Sequence, residues 1–258
     1  MRNLCLDVFD GIPHEELLPL VKAAGFDGFC SGWTFGNDLA AMTALAQQAA
    51  DLGLNYENSH STIPGSELMW VEEAEAEAAV ENFLLCLDNC EKLRIPLMVV
   101  HVQTQGVQNP DFDLGMTRFE RIVSYAAARN IRIAFENIDN PDFLVRTLRH
   151  FAGRTNVGFC YDNGHEACHT PGVRYMPKVG DKLIYTHLHD NFGADDDHLI
   201  PGDGSLDMEL LVKELKDSGY PGGLTLEVNY TGYKDKMSPK AFVERCYQVA
   251  CELAEKLG

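Results

Sequence analysis

The feature that most constrains the fold of this chain is a regular alternation between short apolar runs and longer stretches with helical periodicity. Eight apolar runs bounded by turn residues are predicted to be strands, at 4–9, 26–30, 54–59, 97–102, 131–138, 157–161, 182–188 and 223–228. Helices are predicted at 13–24, 37–52, 68–93, 113–129, 141–151, 208–218 and 239–257, with a shorter helical region after the sixth strand. Eight strand–helix units in one series predict an α/β protein with the (β/α)8 TIM barrel fold.

The same series indicates one domain. Neither a linker nor a low-complexity segment interrupts the 258 residues, and barrels of this fold commonly reach about 250 residues, so a single domain over residues 1–258 is expected. The alternative is an open, doubly wound sheet, which usually has a glycine-rich turn after its first strand. The first predicted strand here ends in DVFDG (7–11), without a GxGxxG motif, and this favours the barrel.

Six of the predicted strands finish on a side chain that can bind a metal ion. These residues are His60, His101, Glu136, Asp162, His187 and Glu227. All strand ends of a TIM barrel open on one face, where the active site lies. A single histidine or aspartate at a strand end is more often a loop anchor, but the same choice on six strands favours a metal centre.

A candidate ligand set consists of Glu136, Asp162, His187 and Glu227. Three carboxylates and one imidazole predict one divalent ion, with Mn²⁺ first and Mg²⁺ or Co²⁺ as alternatives. Zn²⁺ also stays possible, because His60, His101 and His165 are expected nearby. His189 has the same strand parity as His187, so spacing alone does not choose between them.

The charge of the chain disfavours nucleic acid as a partner. Lys and Arg number 21 and Asp and Glu 39, which gives a formal charge of −18, and no dense basic cluster is present. Non-specific binding to nucleic acid depends on basic side chains that neutralise phosphates. We therefore expect a small-molecule partner and no nucleic acid.

Composition also predicts a cytoplasmic protein. No apolar stretch is long enough to span a bilayer, and the first residues carry acids where a signal peptide needs an apolar run, so no membrane association is expected. The eight cysteines are dispersed and form no CxxC motif, which is typical of reduced, buried thiols. The oligomeric state is open, with a homo-oligomer as the common default.

Seven short motifs bring a family into view: NSH (58–60), VVHV (99–102), AFEN (134–137), GFCYDNGH (158–165), THLHDN (186–191), DDHLIPGDGSLD (196–207) and LTLEVN (224–229). Together they resemble the xylose isomerase-like TIM barrels over nearly the whole chain. That superfamily holds sugar and sugar-phosphate isomerases and epimerases, inosose dehydratases and endonuclease IV.

The resemblance implies a metal-dependent sugar isomerase or epimerase that transfers a proton through a metal-stabilised enediolate. The implied metal ligands are again Glu136, Asp162, His187 and Glu227. Glu136 and Glu227 are also the expected catalytic pair, because two carboxylates on opposite sides of a sugar can remove and return a proton. The resemblance further implies that His165 contacts the substrate and that His60 and His101 line the pocket.

Two enzymatic alternatives come from the same superfamily. A lyase of the inosose dehydratase type would use the same enediolate to expel a hydroxyl group. A DNA repair nuclease of the endonuclease IV type would hold three zinc ions, the third through His165, Asp196 and His198, and the net charge disfavours it. A sugar-binding barrel without catalysis is also conceivable, but the paired glutamates argue against it.

Several further residues are candidates for the pocket mouth. Trp33 and Phe9 follow the first two strands and could cover the apolar side of a sugar. Glu67 and Trp70 lie in the segment after His60. His198 and Asp196 are candidates for substrate contacts or for an additional metal pair, with a loop pinned by Asx turns as the equal alternative.

Overall fold

The strands form a barrel in which neighbours in sequence are also neighbours in space. The computed structural model describes residues 1–7, 12–62 and 65–258. Its strands are β1 (Arg2–Cys5), β2 (Gly28–Cys30), β3 (Asn55–His60), β4 (Leu97–Val102), β5 (Arg132–Asn137), β6 (Val157–Asp162), β7 (Leu183–His187) and β8 (Leu224–Leu226). They pair in parallel in the order β7-β6-β5-β4-β3-β2-β1-β8, and a parallel bridge between Leu188 and Leu226 joins the two ends. The predicted (β/α)8 TIM barrel is confirmed.

The helices of the described residues follow the strands along the chain. They are α1 (His14–Ala24), α2 (Leu39–Leu52), α3 (Glu75–Leu93), α4 (Phe112–Ala127), α5 (Pro141–His150), α6 (Asn163–Cys168), α7 (Met176–Val179), α8 (Met208–Ser218) and α9 (Pro239–Leu257). Two 3₁₀ helices, Glu67–Trp70 and Gly180–Lys182, complete the list. None of the described helices combines the length with the apolar character that crossing a bilayer requires.

Strand alternation separates an outer core from the barrel interior. Phe135 of β5 packs edge-on against Phe119 of α4, with 5.2 Å between the ring centroids, and therefore faces outward. Ala134 and Glu136, its neighbours along the strand, face inward. The interior below the site is filled by a small cluster of Leu97, Val99, Ala134, Cys160 and Tyr185. The strand ends therefore hold polar side chains above an apolar plug.

The predicted helix 68–93 is wrong in its first part. The segment forms the 3₁₀ helix Glu67–Trp70 and then α3, which begins at Glu75. Trp70 is fully buried, and its carbonyl accepts a hydrogen bond from Asp111 N at 2.8 Å. This anchoring turns the chain before α3 begins. Residues 8 and 9 of the first predicted strand lie outside the described ranges.

The packing of Trp70 gives a test of the fold. A Cβ atom on Gly115 of α4 would lie 2.1 Å from Trp70 Cε3, so we expect Gly115→Ala to lower the free energy of unfolding by about 1–3 kcal/mol. Urea denaturation measures this. Gly153→Ala is the matched control, because nothing lies within 4 Å of its added Cβ. Equal stability of the two variants would contradict the packing described here.

Candidate functional site

Four side chains from neighbouring strands meet inside the mouth of the barrel. We call them the central cluster: Glu136, Asp162, His187 and Glu227. They lie at the ends of β5, β6 and β7 or directly after β8. One ligating atom from each lies within 4.8 Å of the others, and all four residues are buried. The structure thus brings together the four ligands that the sequence predicts.

A shift in strand register aligns two members of the central cluster. The β6–β7 pairing passes from Phe159 opposite Leu183 to Cys160 opposite Tyr185, so one extra residue stands on β7. This places Asp162 directly opposite His187. Without the extra residue, Asp162 would lie opposite Thr186. His187 would then lie one position further along β7 than Asp162.

The two glutamates approach the same nitrogen from different strands. Glu136 Oε1 lies 2.9 Å and Glu227 Oε2 lies 3.2 Å from His187 Nδ1. Burial alone would raise the pKa of Glu136, but the His187 charge and hydrogen bonds from His101, His187 and His60 hold that pKa well below its usual value. Burial, with the nearby charges of Glu136 and Asp162, raises the pKa of Glu227 well above its usual value although His187 opposes this. The two glutamates therefore differ in pKa: that of Glu136 is lowered and that of Glu227 is raised.

The central cluster has the properties of a divalent cation site. Within the described ranges, Asp162 Oδ2 is buried and has no hydrogen-bond partner. Three carboxylates within 4.8 Å of one another repel each other unless protons or a cation compensate their charge. Oxygen donors with a single imidazole suit Mn²⁺ or Mg²⁺ more than they suit a thiolate-preferring ion. The residues present therefore fit the predicted metal.

A second group, the histidine pair with its carboxylate, lies beside the central cluster. His60 Nε2 lies 3.0 Å from His101 Nε2, and each nitrogen lies 3.2 Å from Glu136 Oε2. Burial, followed by the neighbouring charge of His60, lowers the pKa of His101 to about 4. Glu136 therefore belongs to two groups. Its Oε1 contacts His187 of the central cluster, and its Oε2 contacts the histidine pair.

A third group, which we call the outer cluster, consists of His165, His189, Asp196 and His198. Asp196 Oδ2 lies 3.2 Å from His165 Nε2 and 3.1 Å from His198 Nε2, and its Oδ1 lies 3.5 Å from His189 Nε2. His189 Nε2 also lies 3.1 Å from Asp162 Oδ1, which links the outer and central clusters. The structure thereby assigns His187 to the central cluster and His189 to the outer cluster, a distinction that strand parity alone could not make.

Three histidines are oriented in the same way. Nδ1 lies 2.9 Å from Ser61 O in His60, 3.0 Å from Asn137 O in His165 and 2.8 Å from Glu227 O in His198. A carbonyl oxygen only accepts, so each Nδ1 donates a hydrogen to it, and the Nε2 atom of each ring faces other groups. Metal-binding histidines are commonly oriented by such a second contact.

A cavity of about 200 Å³ opens above these groups. It is lined by Trp33, His60, His101, Gln103, Gln105, Ile138, His165, His169, Asp196, His198 and Glu227. Its volume suits a small polar molecule. Gln103, Gln105 and His169 were not among the residues predicted for the cavity, and His189 was not predicted for the outer cluster. The only signal for His189 was its spacing from His187, and the two glutamines follow β4 without any motif.

Two expectations about the pocket mouth are wrong. Trp70 is fully buried against Phe112 and Phe143, and its Nε1 donates to Gln103 O at 2.7 Å, so it supports the wall from behind. Glu67 is half-buried and does not line the described cavity. The position of Trp70 in the chain suits a residue of the pocket mouth, but burial among apolar side chains favours its place in the core. Phe9 lies outside the described residues.

The family follows from a comparison with known proteins. The family described as "Xylose isomerase-like TIM barrel" matches residues 18–246. The chain belongs to this family. The resemblance that the motifs carry is thereby confirmed.

Several known proteins are similar to the chain in sequence or in fold. The uncharacterized protein y4fM of Sinorhizobium fredii is 31% identical, over 96% of this chain and 90% of that protein. Fructoselysine 3-epimerase of Escherichia coli O157:H7 is 41% identical over 58 residues, which are 22% of this chain and 21% of that protein. A crystal structure of D-psicose 3-epimerase in the presence of D-fructose has a TM-score of 0.79 at 16% identity, and covers 100% of this chain and 99% of that chain.

Metal binding to the central cluster should stabilise the fold. We expect Mn²⁺ added to chelator-treated protein at a hundred times its Kd to raise the free energy of unfolding by about 2.7 kcal/mol, since the ion binds the folded state. Asp162→Asn, which can keep the cap of α6, should lose this gain in a thermal shift measurement. Asp111→Asn, at the exposed cap of α4, is the control that should keep it. An unchanged gain in Asp162→Asn would remove that residue from the metal site.

Proposed function

We propose that this protein is a divalent-metal-dependent isomerase or epimerase of a free or phosphorylated sugar. The observation that carries the proposal is the convergence of Glu136 and Glu227 on His187 Nδ1, at 2.9 and 3.2 Å, from β5 and from the residue after β8. Glu227 also lines the cavity, which is of a size for a small sugar. The named epimerases among the relatives support the same reaction class.

The chemistry requires removal and return of a proton on a carbon next to a carbonyl group. Such a C–H bond is a very weak acid, so a positioned base and stabilisation of the resulting negative charge are both needed. When it is bound, a divalent ion supplies positive charge that stabilises the enediolate. In this proposal the central cluster holds that ion, with Mn²⁺ as the first choice.

The glutamates are the proton-transfer pair in this proposal. Glu136 and Glu227 approach from different sides of the barrel mouth, so one removes the proton and the other returns it. Five of the residues that line the cavity bind the sugar in this proposal: Trp33, His60, His101, His165 and His198. The ring of Trp33, 6.3 Å from that of His60, offers an apolar face, and the Nε2 atoms of the histidines offer hydrogen bonds to hydroxyl groups.

We also infer that the protein works in a reducing compartment such as the cytoplasm. All eight cysteines lie within the described ranges and all are free thiols, six of them buried. This pattern is typical of proteins that are kept reduced.

The proposed proton transfer predicts exchange at carbon. Incubation in D₂O with ketohexoses, ketopentoses, their phosphates and inososes should place deuterium on the reacting carbon of the true substrate, as read by NMR. Glu136→Gln or Glu227→Gln should lower kcat by about 10²–10⁴-fold, because an amide cannot accept the proton. Glu252→Gln, on the exposed surface of α9, is the matched control and should retain kcat.

Product analysis separates the related outcomes. Turnover of a sugar without any exchange would contradict the proton-transfer mechanism. Exchange accompanied by loss of water would identify a lyase of the inosose dehydratase type.

A specific observation keeps a second function in view. The central cluster, the histidine pair with Glu136, and the outer cluster are three adjacent donor groups, and together they contain every ligand expected of a trinuclear-zinc DNA repair nuclease. The formal charge of −18 argues against a polyanionic substrate. The donor groups therefore do not distinguish the nuclease from the isomerase, while the overall charge favours a sugar.

Metal stoichiometry distinguishes the two functions. We expect elemental analysis of the purified protein to find one tightly held divalent ion per chain, because the central cluster holds the largest number of buried carboxylates. The Asp196→Asn variant should keep that ion. Three zinc ions per chain, together with cleavage of damaged duplex DNA, would replace the isomerase proposal with the nuclease.

A further inference from the structure

Two thiols lie directly behind the central cluster. Cys5 of β1 and Cys30 of β2 are paired in the parallel register of these strands. Both residues have no exposed surface, and both are free cysteines. Neither belongs to a donor group described above. Their position raises the question of what two buried thiols do at this point in the barrel.

Each thiol contacts one member of the central cluster. Cys5 Sγ lies 3.4 Å from Glu227 Oε1, and since a carboxylate oxygen only accepts, the thiol is the donor. Cys30 Sγ lies 4.0 Å from His187 Nε2. The other oxygen of Glu227 lies 3.2 Å from His187 Nδ1. The two cysteines therefore stand behind two ligands that already touch each other.

The orientation of His187 explains why Cys30 matters. Its Nδ1 faces Glu136 and Glu227, so this is the atom that a cation in the central cluster would meet. Its Nε2 lies on the opposite side of the ring, and a buried N–H group needs an acceptor. In His60, His165 and His198 a backbone carbonyl meets the second nitrogen. At Nε2 of His187, the sulfur of Cys30 takes that place.

A thiol suits this position for an electrostatic reason. The usual partner of a metal-binding histidine is a carboxylate, a carbonyl or water. Another carboxylate would add a fourth negative charge to a buried group that already contains three. The sulfur of Cys30 is small and accepts weakly from His187, and the thiol of Cys5 donates to Glu227.

We propose that Cys5 and Cys30 are positioning residues for the central cluster: Cys30 holds the imidazole ring of His187, and Cys5 holds the carboxylate of Glu227, in the orientation that binds the divalent ion. This rests on the proposed function, since it assumes that the central cluster binds the ion. Cys160 flanks the same histidine from β6, and its ligating atom lies within 4.8 Å of those of Glu136 and His187. It is therefore the competing candidate and needs its own variant.

The test measures binding of Mn²⁺ alone by isothermal titration calorimetry, with no sugar present. Cys30→Ala should weaken Mn²⁺ binding by about 10–100-fold, the usual effect of removing a residue that orients a metal ligand. Cys30→Ser keeps a hydrogen-bonding group and should restore most of the affinity. Cys5→Ala should also weaken binding. Cys90→Ala removes a buried thiol of α3 outside the three donor groups, and should bind Mn²⁺ like the wild type.

Stability is measured on the same variants, because loss of any buried side chain can destabilise the metal-free fold. A positioning role predicts lower Mn²⁺ affinity for Cys30→Ala than for Cys90→Ala even where their metal-free unfolding temperatures fall equally. Wild-type affinity in both Cys30→Ala and Cys5→Ala would overturn the proposal. So would a Cys30→Ser variant as weak as Cys30→Ala, or a loss of affinity confined to Cys160→Ala.

The same measurements separate this inference from the proposed function. If the wild type does not bind Mn²⁺, the metal centre and the positioning role are both overturned. If the cysteine variants weaken Mn²⁺ binding but no sugar exchanges a proton in D₂O, the positioning role stands and only the isomerase assignment falls.

Discussion

Three carboxylates held together out of water are the constraint on which the rest of this site depends. Glu136, Asp162 and Glu227 are buried within 4.8 Å of one another, where their mutual repulsion cannot be relieved by solvent. Hydrogen-bond donors and imidazole rings surround these three carboxylates. Among the described residues Asp162 Oδ2 accepts no hydrogen bond, and the nearest compensating charge is His165 Nδ1 at 3.7 Å. In the proposed function a divalent cation supplies the remaining positive charge.

The barrel supplies the rigidity that such a group needs. Each carboxylate lies at the end of a different strand or directly after one. The apolar side chains packed below it fill the interior of the barrel and leave no room for it there. The register shift between β6 and β7 then matches Asp162 to His187. Backbone carbonyls orient three of the surrounding histidines, so their ring positions are set by the main chain rather than by flexible side chains. Preorganisation of this kind lowers the cost of binding.

Much of this architecture can be predicted from the sequence, because strand periodicity determines which side chains face inward. The period of two that places Phe135 outside and Glu136 inside depends only on local backbone geometry. The side on which Trp70 packs could not be predicted, because that depends on distant partners such as Phe143. The register shift between β6 and β7 could not be predicted either, because a bulge does not require an unusual residue. The same limit applies to the contacts of Cys5 and Cys30, which come from strands far from His187 and Glu227 in sequence.

Glu136 divides its oxygens between two groups: Oε1 meets His187, and Oε2 meets His60 and His101. A carboxylate is a rigid plane, so a rotation that shortens one set of contacts lengthens the other. In the proposed function, a ligand that moved Glu136 at the histidine pair would also change its contact with His187, and linkage would make the effect mutual. One side chain thereby connects two neighbouring donor groups at the mouth of the barrel.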